Sequence, residues 1–271
     1  MKIGVFDSGY GGLTILRELR SLLPGYDYLY LGDNARAPYG TRSFDIVTDF
    51  TRQAVEFLFA HGCPLVILAC NTASAKALRT IQQRWLPYTD DPSRRVLGVI
   101  RPTAENIGSV SQNGHVGVFA TPGTIASLSY NIEIQKLFPG FTVTGHACPM
   151  WVPLVENGEA DGDGADFFVK KDIDALLADD PDIDTVVLAC THYPLLIDKI
   201  RRYMPQGIRL LTQGRIVADS LRNYLFRHPE MDARLSKNGT VSFMTTENPD
   251  RFNALAAQFI AHPVSAERVS L

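Results

Sequence analysis

Short apolar runs alternate along the chain with longer stretches in which apolar residues recur every three or four positions. That alternation predicts an α/β fold with largely parallel sheets covered by helices. Residues 3–6 form a strand-like run, followed by the glycine-rich turn Asp7-Ser8-Gly9-Tyr10-Gly11-Gly12. Leu13, Leu16, Leu19 and Leu23 then fall on one face of a helix that Pro24-Gly25 ends. A strand at 28–31, a helix over 43–61 and a buried strand at 65–69 follow. Further on, Asn248 is placed to cap a helix with Pro249 at its first position. Phe252, Leu255, Ala256 and Phe259 would line that helix's inner face.

A weak internal repeat organises these elements. Residues 65–70 read LVILAC and residues 186–190 read VVLAC. Upstream, IGVFDSGYGG from Ile3 is matched by VGVFATPGT from Val116, so Asp7 and Thr121 are equivalent. The order of strand, small-residue turn, strand and cysteine therefore occurs twice at nearly the same interval. Two similar, pseudo-symmetric α/β domains are expected. The first comprises 1–98 and carries Cys70; the second comprises 99–208 and carries Cys190. Residues 209–271, with strand and helix patterns of their own, are assigned back to the first.

Cys70 and Cys190 each stand where a strand gives way to polar residues, Asn71-Thr72 and Thr191-His192. Ligands of open parallel sheets bind beyond the carboxyl ends of strands. A helix N-terminus there favours negative charge and lowers a thiol pKa. A single cysteine is ordinarily a small core residue; its repetition in one context points to chemistry. Cys63, in a helix-to-strand connection, reads as structural, and Cys148-Pro149 borders the expected cleft without a specified role. Asp7 can orient a base or meet an ammonium group. Gly9, Gly11 and Gly12 would let a ligand approach the backbone. Thr14 replaces the third glycine of a dinucleotide fingerprint and no Walker lysine is present, which disfavours a nucleotide site. His192, two residues after Cys190, can shuttle a proton near neutral pH. The polar loop 33–43 offers backbone and hydroxyl groups to a carboxylate.

Composition narrows the class. The chain has 271 residues, 45 % hydrophobic and 20 % charged, with a net charge of -3, a balance that fits a packed globular protein and gives no support to nucleic-acid binding. The longest apolar runs are too short to span a bilayer. No signal peptide is read ahead of the first strand, so a reducing cytoplasm is expected. None of the four cysteines forms a C-x-x-C pair, which argues against a zinc knuckle or a redox dithiol.

Taken together, DSGYGGLT at 7–14, GDNARAPYG at 32–40, ACNTASA at 69–75, VPLVE at 152–156 and ACTHYPLL at 189–196 resemble the glutamate racemase family. The segments keep the family order and span most of the chain. The resemblance implies two α/β domains facing each other across a cleft, no metal or cofactor, and a two-base proton transfer at Cα of glutamate. By position, Cys70 and Cys190 resemble the acid/base thiols, and Asp7, Glu156 and His192 the assisting ionisable groups. Ser8, Tyr39, Gly40, Asn71, Thr72, Thr121 and Thr191 resemble substrate contacts, shared with Asp7 and His192. Supply of D-glutamate for peptidoglycan follows from the resemblance alone; glutamate is the expected small-molecule partner, and a homodimer is left open. The chain departs from the pattern at Ile100-Arg101-Pro102-Thr103, where a proline–glycine is common. It departs again at Thr212-Gln213-Gly214, in place of a frequent aspartate–serine–glycine. Both lie near the expected domain crossings and bear on hinge geometry.

Two thiols suit such a reaction. Inversion needs a proton removed from one face of the α-carbon and another added to the opposite face. Two fixed groups do this without large motion, and thiols titrate near enough to neutrality to serve in either form. Aspartate as substrate and a non-enzymatic amino-acid-binding protein are the competing readings. The Tyr39-Gly40 and Asp7-Ser8 pairings favour glutamate, and paired strand-end cysteines favour an enzyme.

Overall fold

The computed structural model describes residues 1–260 and 263–271. Its strands are β1 (Ile3–Asp7), β2 (Tyr28–Gly32), β3 (Leu65–Leu68), β4 (Arg95–Gly98), β5 (His115–Ala120), β6 (Thr142–Ala147), β7 (Thr185–Ala189), β8 (Arg209–Leu211), β9 (Val241–Thr245) and β10 (Ala266–Arg268). The α-helices of the first half are α1 (Gly12–Leu22), α2 (Phe44–Ala60), α3 (Asn71–Lys76), α4 (Leu78–Thr80), α5 (Ile100–Ile107), α6 (Pro122–Ala126) and α7 (Ser129–Leu137). They are followed by α8 (Trp151–Glu156), α9 (Asp163–Asp179), α10 (Ile197–Tyr203), α11 (Gln213–Arg227), α12 (Pro229–Asp232) and α13 (Pro249–Ala256).

Two wholly parallel sheets result. One runs β10-β9-β2-β1-β3-β4, the other β6-β5-β7-β8. The order β2-β1-β3-β4 matches β6-β5-β7-β8 strand for strand, so the sequence repeat is a repeat of topology. The strands β1, β2, β3 and β7 are buried along their whole length. That accounts for their continuous apolar runs in place of an alternating pattern. No helix among the described residues is long and apolar enough to cross a membrane.

One boundary shifts. Arg209–Leu211, placed by sequence with the first domain, pairs with β7 and closes the second sheet. The short half-exposed run carries no signal of its own sheet; pairing decides it. The chain returns to the first sheet through α11, which packs against α1 and α5, and adds β9 and β10 beside β2.

In each sheet the order reverses at one point, between β1 and β3 in one and between β5 and β7 in the other. That reversal opens a crevice at the carboxyl ends of the strands. Asp7 ends β1 and Cys70 follows β3; Thr121 follows β5 and Cys190 follows β7. The fold thus brings four residues of the repeat to two equivalent crevices.

Candidate active site

A single cavity of about 540 Å³ receives both crevices. Cys70, Cys190, Asp7, His192, Glu156, Ser8, Tyr39, Gly40, Asn71, Thr72, Thr121 and Thr191 all line it. Both sulfurs belong to buried residues, and all four cysteines are free thiols.

The two thiols have different supports. Cys70 caps α3: its Sγ accepts the Ala73 N–H at 3.4 Å and donates to Ser8 Oγ at 3.5 Å. Burial and the charge of Asp7 push this thiol up to about 12, against the lowering effect of Ser8 and the Ala73 N–H. No α-helix starts directly after Cys190. A turn and a 3-10 segment, Tyr193–Leu196, with Pro194 in its first turn, separate it from α10. The helix terminus expected there from the sequence is replaced by a side chain. His192 Nδ1 lies 3.8 Å from Cys190 Sγ, and His192 Nε2 lies 2.9 Å from Glu156 Oε1. Burial alone would lower the imidazole pKa, but the Cys190 sulfur and the Glu156 carboxylate outweigh it and raise it to about 10.

Glu156 reaches His192 because α8 is anchored at its other end. Trp151 is fully buried and packs on Phe119 of β5 and on Tyr193, with ring centroids 4.9 and 4.7 Å away. Asp7 is also fully buried. Its Oδ2 accepts the Gly9 N–H at 2.9 Å, while Oδ1 has no partner. Burial raises its pKa, offset in part by His192 across the cavity. A buried carboxylate with one free oxygen is suited to an ammonium group.

The remaining contacts stitch the two halves together. The Thr72 and Thr121 hydroxyls are 3.0 Å apart, each near Thr124 as well, and Gly40 O accepts the Gly123 N–H at 2.8 Å. Tyr39 donates its hydroxyl to Asp33, so its ring borders the cavity while its hydroxyl is committed to the loop. Asp33 also accepts from Arg36 Nε at 2.7 Å and Thr246 Oγ1 at 2.9 Å.

Gly9 lines the cavity, whereas Gly11 and Gly12 act differently from the sequence expectation. A Cβ on Gly11 would lie 2.1 Å from Thr191 Oγ1 and 2.5 Å from His192 Nδ1; one on Gly12 would lie 2.5 Å from Asp7 Cβ. The hydrogens of Gly11 and Gly12 admit neighbouring side chains rather than a ligand. Sequence reasoning also passed over Glu247 and Arg251, which reach the cavity from the segment opening α13. Arg251 is the only cationic Lys or Arg side chain in the lining among the described residues. Its charge is unremarkable on an exposed helix start, so only the fold reveals it. His115, Asp180 and Asp182 bring ligand-type atoms within 4.8 Å of one another, but they lie outside the cavity.

The family model for Asp/Glu/Hydantoin racemase matches residues 12–221. The chain belongs to this family. It is therefore an amino-acid racemase by relationship, an isomerase with its cleft between two parallel sheets. The glutamate racemase of Paracoccus denitrificans is 40 % identical over 98 % of this chain and 99 % of its own. Two solved structures share the fold over nearly full length. Glutamate racemase isoform RacE1 from Bacillus anthracis has a TM-score of 0.90 at 34 % identity, covering 100 % of this chain and 97 % of that one. Glutamate racemase from Francisella tularensis, solved in complex with D-glutamate, has a TM-score of 0.87 at 32 % identity, covering 99 % and 97 %.

Proposed function

We propose that this racemase interconverts L- and D-glutamate by moving the α-proton between Cys70 and Cys190. The observation that carries the reading is the presence of both thiols, at equivalent strand ends, in one cavity of small-molecule size. Substrate enters with its ammonium toward the free oxygen of Asp7 and its carboxylate among the hydroxyl and amide groups of Ser8, Asn71, Thr72, Thr121 and Thr191. An ammonium beside Asp7 offsets the negative charge that holds the Cys70 proton, so substrate binding itself favours the Cys70 thiolate. On the opposite face the His192 imidazolium, held by Glu156, stabilises the Cys190 thiolate. One thiolate removes the α-proton while the other sulfur delivers its own. Donors fixed around the carboxylate stabilise the developing negative charge. In the cytoplasm this reaction would supply D-glutamate for peptidoglycan.

The test is exchange at the α-carbon. Purified protein, dialysed against chelator and given no cofactor, should incorporate deuterium from heavy water into L-glutamate and form D-glutamate. Exchange on aspartate but not glutamate would reassign the substrate. Activity that appears only with pyridoxal phosphate or a divalent metal would overturn the mechanism.

A further inference from the structure

Two segments that the sequence places near the domain crossings, around Thr103 and Gln213, meet in the interior. Thr103 lies in the first turn of α5 and Gln213 opens α11, each just beyond a point where the chain passes between the sheets. Both are buried. Gln213 Nε2 donates to Thr103 Oγ1 at 2.9 Å and to the Tyr130 hydroxyl at 2.8 Å. Gln213 Oε1 accepts Asn71 Nδ2 at 2.6 Å, and the Tyr130 hydroxyl donates to Asn71 Oδ1 at 2.7 Å. Gln213, Tyr130 and Asn71 thus close a ring of three hydrogen bonds with one direction of donation.

Thr103, at 2.9 Å from Gln213 Nε2, sets that direction together with the more distant Val99 carbonyl at 3.5 Å. The Thr103 hydroxyl donates to Val99 O at 2.7 Å, so it offers Gln213 only a lone pair. Gln213 must turn its NH₂ toward Thr103 and its oxygen toward Asn71. Asn71 must then present Nδ2 to Gln213 and Oδ1 to Tyr130. Reversing the Asn71 amide would set its oxygen against Gln213 Oε1 and leave the Tyr130 hydroxyl proton without its acceptor, in a buried place where unmade bonds are costly. Asn71 is the cavity-lining residue next to Cys70.

We propose that Gln213, oriented by Thr103, is a positioning residue that fixes the Asn71 amide in the cleft and hence its hold on substrate. This rests on the reading of the cavity as a glutamate racemase site. Gln213→Leu and Thr103→Val remove the polar groups at similar size; Thr103→Ser keeps the hydroxyl. Gln213→Leu and Thr103→Val should raise KM for glutamate by about tenfold, with kcat changed less, while Thr103→Ser keeps the parental KM. In an Asn71→Ala background, Gln213→Leu should add nothing further to KM. Equal KM values for Thr103→Val and Thr103→Ser, or additive effects of Gln213→Leu and Asn71→Ala, would overturn the proposal. If Gln213→Leu does not fold, the Thr103 pair decides. Should the parent protein not act on glutamate, the functional reading fails, and the ring is judged separately by nuclear magnetic resonance. Slow hydrogen exchange of the Asn71 side-chain amide in the parent, lost in Thr103→Val and kept in Thr103→Ser, supports it; unchanged exchange in all three rejects it.

Discussion

His192 holds its proton through two partners, one of them a thiol it is expected to assist, and this has a measurable signature. Its pKa rises from 6.5 to about 10 on folding, so the folded chain binds this proton more tightly than the unfolded chain. The resulting stabilisation is complete below about pH 6.5 and is lost as pH climbs through about 10. The melting temperature should decline across that window, and the decline should be shallower in His192→Asn. An identical slope in both proteins would remove His192 as the proton's site. If each group serves a different thiol, the same substitution and Asp7→Asn should slow the two reaction directions unequally within a single turnover. The overall equilibrium must stay at one, since the products are mirror images.

The thiols themselves should divide the work by face. Under the proposed mechanism, Cys70 should take the proton from D-glutamate and Cys190 from L-glutamate. Serine keeps the shape but is a far poorer acid. Neither Cys70→Ser nor Cys190→Ser should racemise at more than a trace of the parental rate. With a substrate carrying a β-leaving group, elimination needs only the first deprotonation. Cys70→Ser should retain elimination from the L-form alone and Cys190→Ser from the D-form alone. A mutant that treats both enantiomers alike would cost that cysteine its assignment. These residues were legible in the sequence because each follows a short, continuous apolar strand, and the strand recurs. Their partners were less so. Gln213 meets Asn71 across 142 positions of chain, and no local pattern carries such a contact.

Among the elements, the start of α1 shows how closely the halves approach. Gly11 leaves room for Thr191 and His192, and the Thr14 hydroxyl shares its proton between Gly11 O at 2.8 Å and Thr191 O at 3.0 Å, so α1 meets the loop that carries the histidine. Gly11→Ala should force that loop away, at a cost of about 1–3 kcal/mol in stability. Displacement of His192 from Cys190 should lower kcat on the order of 10²-fold. Denaturant unfolding and steady-state kinetics measure the two effects. Parental activity in Gly11→Ala would show that the loop relaxes without consequence. The sequence announced the turn through its glycines, yet it suggested a ligand as the reason for them. At Gly11 the occupant is a segment some 180 positions away, and hydrophobic periodicity is blind to that. Conversely, α3 and the loop after β7 look alike in sequence, but a turn and a 3-10 segment follow the second. A cap by backbone N–H on one side and an imidazole on the other is the outcome.

At the scale of the whole molecule, the matching strand order of the two sheets was foreshadowed by the repeat, whereas the extent of each was not. β8 contains three residues and joins its sheet only by pairing with β7. β9 and β10 complete the first sheet after the second is already finished in chain order. That arrangement has a consequence for synthesis. A chain emerging from the ribosome can assemble β5 to β8 from one unbroken stretch, whereas the β2 edge waits, unpaired, for Val241–Thr245. An open strand edge is a template for pairing with other chains, and domains generally fold as units as they appear. Nascent chains halted before Val241 should therefore show protease protection over 115–211 while residues 28–32 remain open to cleavage and to capture by holdase chaperones. The last strands to be made are the ones that seal the first sheet.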